Sequence, residues 1–261
     1  MKNRTLLLLS ILIIVASLLI VGGNAKALDQ LTVYLPVSFR DYCPPLFADD
    51  FSDSTSGWPV SDDGNRSYEY LNNEYRILVR NTGWWVGARP GFTASDYILT
   101  VDVRNITGNF GSYGLLFGLS DDWSQFYSLE IFPDGYYGIY EYDDGSWTSL
   151  SVGSSNSIYT GTTMNRLKIM RDGDLIEAYA NGALLASVSD GSYTGMRYVG
   201  LIVESWDVPN VDVMFDNFVV YPVTCNQAAF QSSEARRIPN MEIMDSMESG
   251  RKISQPNSRR R

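Results

Sequence analysis

The stretch LEIFPDGYYGIYEYDDGSW, residues 129–147, carries five carboxylates and six aromatic side chains. Paired carboxylates are the machinery of glycoside hydrolysis, and a retaining pair must stand about 5 Å apart on one face. Glu130 is the first candidate, because strand alternation puts positions 132 and 134 on its face. Phe132 takes the middle position, Pro133 ends the strand and Asp134 is the turn residue of PDG. Glu141 falls on the opposite face or at a strand end, and Asp143 and Asp144 belong to the next turn. Only Glu130 is left without a turn or strand-end explanation, and a lone acid does not make a glycosidase. The chain has no histidine, which removes Ser-His-Asp and Cys-His catalysis, His-ligated zinc and the usual general base near neutral pH. No catalytic residue is assigned, and a glycoside hydrolase working through Glu130 is the alternative.

The aromatic residues suggest binding instead. Tyr, Trp and Phe make up 13% of the chain. Sugar C–H faces stack on aromatic rings, while hydroxyls and acids take the sugar OH groups. The candidate ligand set is Trp84, Trp85, Trp123, Glu130, Tyr136, Tyr140, Tyr142, Trp147 and Trp206, in loops or on the outer phase of strands. Of the adjacent Trp84 and Trp85, one is expected to turn inward if the segment is a strand. A structural surface protein, in which the aromatic face packs on a partner, is the third reading.

These side chains need a sheet to hold them. Period-2 alternation recurs in NEYRILVR, DYILTVDVRN, SYGLLFGLSD, QFYSLEIF, YYGIYEY, RLKIMRDG, LIEAYANG, YVGLIVES and VDVMFDNFVVY. The separators PDG, DDG, RDGD, ANGA and SDGS tolerate the positive φ of tight hairpin turns. No stretch keeps a helical period, so an antiparallel sandwich or barrel is expected. In QFYSLEIF, Tyr127, Leu129 and Ile131 phase to the core, and Phe126, Ser128, Glu130 and Phe132 to the other side. In YYGIYEY, Tyr137 and Ile139 match the core, and Tyr136, Gly138, Tyr140 and Tyr142 share the side of Glu130. A slip of one residue would exchange the two sets.

The ends differ in character. Lys2 and Arg4 precede an apolar run from Leu6 to Val21, and Ala25 and Ala27 supply a small-x-small pattern. This predicts a signal peptide at 1–27; an uncleaved membrane anchor is the other reading. Both place the rest outside the cytoplasm. Residues 28–45 form a linker, 46–225 one domain, and 226–261 a disordered tail lacking alternation. Residues 28–225 hold ten Arg and Lys against twenty-six Asp and Glu, a net of −16. That charge repels phosphate backbones, so no nucleic acid partner is expected. The only cysteines, Cys43 and Cys225, flank the patterned region. In an exported chain they predict a disulfide that sets first and last strands side by side.

Four segments in order, LFADDFSDSTSGWPV, GLLFGLSDDWSQFYSLEIFPDGYYGIYEYDDGSW, NRLKIMRDGDLIEAYANGALLASV and VGLIVES followed by VDVMFDNFVV, resemble the concanavalin A-like lectin/glucanase jelly roll. The nearest branch is the laminin-G-like domains grouped with the 3-keto-disaccharide hydrolase family. The resemblance covers roughly residues 46–221 and implies an all-β antiparallel sandwich. It implies little about activity, because such folds host enzymes, lectins and scaffolds alike. It also implies a structural calcium between first and last strands, with Asp50 in ADDF and Asp216 in FDNF as main ligands. Trp58 resembles a family position near the sheet edge and stays outside the site. The combined expectation is a secreted, non-catalytic, carbohydrate-binding β-sandwich.

Overall fold

The computed structural model describes residues 43–225 apart from Asn109. The expected signal peptide, most of the linker and the tail lie outside the described residues.

Sixteen strands and no helix occur among the described residues. One sheet contains β1 (Phe47–Asp49), β2 (Ser61–Asp62), β3 (Arg66–Leu71), β4 (Glu74–Val79), β7 (Tyr97–Asn105), β12 (Asn165–Asp172), β13 (Leu175–Ala180), β14 (Ala183–Ser189) and β16 (Val211–Pro222). Its order is β14-β13-β12-β7-β16-β4-β3-β2, with β1 also on β16. The other contains β5 (Trp85–Ala88), β6 (Thr93–Ala94), β8 (Ser112–Leu119), β9 (Gln125–Ile131), β10 (Tyr136–Asp143), β11 (Ser146–Ser154) and β15 (Arg197–Glu204). Its order is β11-β10-β9-β8-β15-β5, with β6 also on β15. Every pairing is antiparallel. The described residues form an all-β jelly-roll sandwich, one of the two architectures that the alternation allows.

The expected phase of β9 and β10 holds. Tyr127, Leu129, Ile131 and Ile139 lie in the core between the sheets, with Val101, Val103, Leu167, Ile169 and Phe215 from the opposite sheet. Burying such side chains contributes about 1.5–3 kcal/mol each. The DDG separator works as expected: Asp144 and Gly145 both take positive φ, 49° and 94°, between β10 and β11, the geometry of a tight hairpin turn.

Cys43 and Cys225 are bridged, with Cα atoms 5.7 Å apart. β1 lies on β16 with Phe47 opposite Val220, the juxtaposition the bridge was expected to impose. Trp58 is buried with Phe51, Tyr75 and Phe218 at 5.0–5.3 Å between ring centroids, and its indole N–H donates to Asp49 at 2.9 Å.

The two outer faces differ, and that difference locates the site. On the nine-stranded sheet, Arg76 pairs with Asp212 at 2.6 Å, Arg104 with Glu74 at 2.5 Å and Arg166 with Asp102 at 2.6 Å. That face is closed by ion pairs. The seven-stranded sheet turns Trp85, Phe126, Tyr140, Tyr142 and Trp147 outward, with Glu130 and Glu204 among them.

Candidate functional site

The outer face of the seven-stranded sheet has two halves. In the first, the protein fills its own surface. Phe126 and Tyr142 stack at 4.6 Å, and Trp85 lies 5.1 Å from Phe126 and 5.5 Å from Tyr142. Leu116, Leu119, Phe126 and Ile202 form a small second core under Trp85, Trp123, Tyr142 and Tyr198. Arg89 sits between the Trp123 and Tyr198 rings, 5.1 and 3.6 Å from their centroids, so the chain's own cation occupies that aromatic pair.

The second half is open. Glu130 on β9 is opposed in register by Gly114 on β8 and Gly138 on β10. Neither neighbour has a side chain, and backbone and ring close over both positions: a Cβ on Gly114 would lie 2.0 Å from the Leu129 carbonyl oxygen. A Cβ on Gly138 would lie 2.3 Å from the Tyr140 ring, so glycine at 138 permits the placement of that ring. Glu130 is 0% exposed. Ser128 donates its hydroxyl to one carboxyl oxygen at 2.7 Å, and Ser112 donates to the other. Burial pushes the Glu130 pKa up, opposed by the two serine hydrogen bonds. An unpaired buried carboxylate is costly, so the group retains its proton more strongly.

A second carboxyl stands nearby. Glu204 ends β15, opposite Ser112 in register. Its pKa is pushed up to about 8, first by burial and then by Glu130. Its side chain makes no hydrogen bond or ion pair among the described residues, and it faces a cavity. Sequence reasoning missed Glu204, although the signal was available: in VGLIVES, Leu201 and Val203 phase inward, so Ile202 and Glu204 must face out.

That cavity, of about 320 Å³, is lined by Tyr140, Trp147, Ser149, Glu204 and Trp206. The Tyr140 and Trp147 rings meet edge-to-face at 90°, with centroids 6.1 Å apart. Trp206 is fixed by its indole N–H, which donates to Ser112 at 2.9 Å. Its φ of 44° is uncommon for a bulky residue, and strained backbone of this kind clusters at functional sites. The Tyr140 hydroxyl pKa is pushed up to about 12 by burial, then by Glu130 and Glu204. Beyond Tyr140 a second cavity, of about 330 Å³, is lined by Phe110, Phe132, Asp134, Tyr136, Tyr137, Tyr140 and Val152. A third, of about 570 Å³, shares Asp134 and Tyr136 with it. Neighbouring cavities thus share lining residues, Tyr140 between the first two and Asp134 and Tyr136 between the second and third.

Of the candidate ligand residues, Tyr140, Trp147 and Trp206 meet at the first cavity with Glu130 behind them, and Tyr136 lines the next two. Trp85 and Tyr142 support Trp147, at 6.3 and 4.9 Å between centroids. Trp84 precedes β5, exposed, with its backbone N–H donating to the Ser205 hydroxyl at 3.1 Å, and Trp85 packs on the outer face, so neither of the adjacent tryptophans turns into the core between the sheets as expected. Trp84 and Trp123 line none of the three cavities.

For the expected calcium ligands, Asp50 accepts from the Ser52 amide and hydroxyl at 3.1 and 2.6 Å. Asp216 accepts from the Asn217 amide at 2.7 Å. The Asp216 pKa is raised by burial and by the acids Asp102, Glu74 and Asp50, against that amide bond. Among the described residues, no group of three or more His, Cys, Asp or Glu side chains is arranged to hold a metal ion.

No protein-family model and no curated protein sequence matches the chain. Solved structures do match in fold. A CBM66 carbohydrate-binding module from Bacillus subtilis is 15% identical, with TM-score 0.52, over 64% of this chain and 96% of its own. A Bacillus subtilis protein of unknown function with a galectin-like fold is 13% identical, with TM-score 0.55, over 68% and 96%. A laminarinase catalytic domain from Thermotoga maritima is 12% identical, with TM-score 0.52, over 69% and 98%. These likenesses show the fold alone, a jelly roll of the concanavalin-like and galectin-like kind that the sequence resembles. They do not reach the narrower laminin-G-like branch.

Proposed function

We propose that this chain binds carbohydrate along the open half of the seven-stranded sheet and does not cleave it. The observation that carries this reading is the row of three adjoining cavities joined at Tyr140, Asp134 and Tyr136. A row suits an extended oligosaccharide, with Tyr140, Trp147, Trp206 and Tyr136 offering stacking faces and Glu204 and Ser149 offering partners for sugar hydroxyls. The fold neighbours agree in kind, since they include a carbohydrate-binding module and a glucan-acting catalytic domain. The burial of Glu130 argues against cleavage: a carboxyl with no exposed surface and both oxygens held by serines cannot reach a glycosidic oxygen. Retaining and inverting mechanisms both require two carboxyls that touch the substrate or its water.

The hydrolase reading has one observation in its favour. Glu204 faces the cavity with a pKa of about 8, a value suited to a general acid near neutral pH. A glycan array followed by a reducing-end assay on each hit distinguishes the two. The binding reading expects retention without new reducing ends.

Secretion remains part of the proposal, and the Cys43–Cys225 bridge suits an oxidising compartment. Calcium at Asp50 and Asp216 is proposed as a structural ion only, because the site lies with β1 and β16, away from the cavities.

A further inference from the structure

The lining of the cavity at Tyr140 favours one ligand chemistry. Three aromatic residues, Tyr140, Trp147 and Trp206, form its walls, with the rings of the first two perpendicular. Glu204 is its acidic member, and Glu130 lies behind. Aromatic walls around a carboxyl form the chemical surroundings that hold an ammonium group: ring faces attract the cation and the acid balances its charge. A neutral sugar would use the rings and leave the Glu204 carboxyl without a charge partner.

The protein supplies no counter-charge here. Among the described residues, no Arg or Lys pairs with Glu130 or Glu204, and none stands over the Tyr140, Trp147 or Trp206 rings. On the opposite sheet three acids do have cationic partners: Asp212 has Arg76, Asp102 has Arg166 and Glu74 has Arg104. The same face also has an internal comparison. At Trp123 and Tyr198 the ring pair is filled by Arg89, whereas at Tyr140 and Trp147 the corresponding space is cavity. The strongly acidic domain attracts cations to this surface from a distance.

We propose that this cavity is an ammonium-recognising subsite and that its ligand is a glycan bearing free amino groups, such as a 2-amino-2-deoxy sugar chain. This rests on the carbohydrate reading above and narrows it to a substrate class. The ammonium takes the place between Tyr140, Trp147 and Trp206 with Glu204 as its counter-ion, while the rest of the chain runs toward Tyr136.

The test uses the full chain, with Trp fluorescence and calorimetry at pH 8. The probes are a glucosamine tetramer, its fully N-acetylated counterpart, a neutral glucose tetramer and tetramethylammonium. The amino tetramer is expected to bind at least tenfold more tightly than either neutral one, with tetramethylammonium competing. Glu204→Gln is expected to reduce that preference to near unity. Trp147→Phe keeps a ring and so tests the wall without emptying it; the preference is expected to persist there at reduced affinity. Equal binding of amino and N-acetylated tetramers, or no competition by tetramethylammonium, would overturn the inference while leaving the carbohydrate reading in place. Failure of every tetramer to bind would overturn the carbohydrate reading and this proposal with it.

Discussion

Glu204 and Glu130 share one sheet face with only β8 between their strands, and Ser112 links them. It is the cross-strand partner of Glu204 and donates its hydroxyl to Glu130. The groups around Glu204 are Glu130 from β9, Tyr140 from β10, Trp147 and Ser149 from β11, Ser112 from β8, Trp85 from β5 and Trp206 after β15; none is cationic.

The first prediction follows from this charge environment. The folded-state pKa of Glu204 is about 8 against an ordinary 4.5. Between those values the folded protein holds a proton that the unfolded chain has released. Stability is therefore full below about pH 4.5 and falls as pH rises toward 8, by at most ~1.4 kcal/mol per pH unit for one proton. Glu204→Gln should flatten that decline and melt above wild type at pH 8, while matching it near pH 4.5. Parallel melting curves for the two proteins from pH 4.5 to 8 would show that Glu204 titrates normally.

A second prediction separates the open half of the face from the filled half. Tyr140→Ala and Trp147→Ala should each weaken glycan binding by up to about tenfold, the size of one lost aromatic contact. Trp123→Ala removes a ring held by Arg89 and should cost roughly 1–3 kcal/mol of stability with little change in affinity. Affinity loss in Trp123→Ala equal to that in Tyr140→Ala would place the ligand elsewhere on the face.

The bridge gives a third. Cys43 and Cys225 close a loop with a sequence separation of 182. The chain-entropy model then gives about 5 kcal/mol as an upper figure. Cys225→Ser should lower the denaturant midpoint accordingly, and peptide mapping without reductant should recover the two cysteines joined. Recovery of both as free thiols would contradict the bridge.

Calcium supplies the fourth. Burial and three neighbouring acids raise the Asp216 pKa, so a divalent cation there would relieve repulsion in the folded state only. Added calcium should raise the Tm, and Asp216→Ala should abolish the rise. Identical melting in calcium and in chelator would remove Asp50 and Asp216 as ligands.

Much of the fold is legible because alternation and turn chemistry are local. The DDG turn, the inward Tyr127, Leu129 and Ile131 and the pairing of β1 with β16 follow from residue type and spacing. The site is less so. Alternation shows that Tyr140 and Tyr142 share a face with Glu130, but not that Trp85 and Trp147 join them or that Phe126 rises beside Tyr142 and fills one half. That depends on packing between strands distant in sequence. Glu204 illustrates the same limit: its outward phase is readable in VGLIVES, whereas its approach to Glu130 depends on β15 pairing with β8. Trp206, in the turn after β15, is placed by its bond to Ser112, a contact no local pattern encodes.

The central claim, glycan binding at Tyr140 without cleavage, is most directly tested by a glycan array on wild type, Tyr140→Ala and Glu204→Gln, with reducing ends measured after incubation of every hit. The account predicts that wild type retains at least one oligosaccharide, that Tyr140→Ala retains less of it, and that no protein generates new reducing ends. New reducing ends from wild type, absent with Glu204→Gln, would contradict it and make this face an active site.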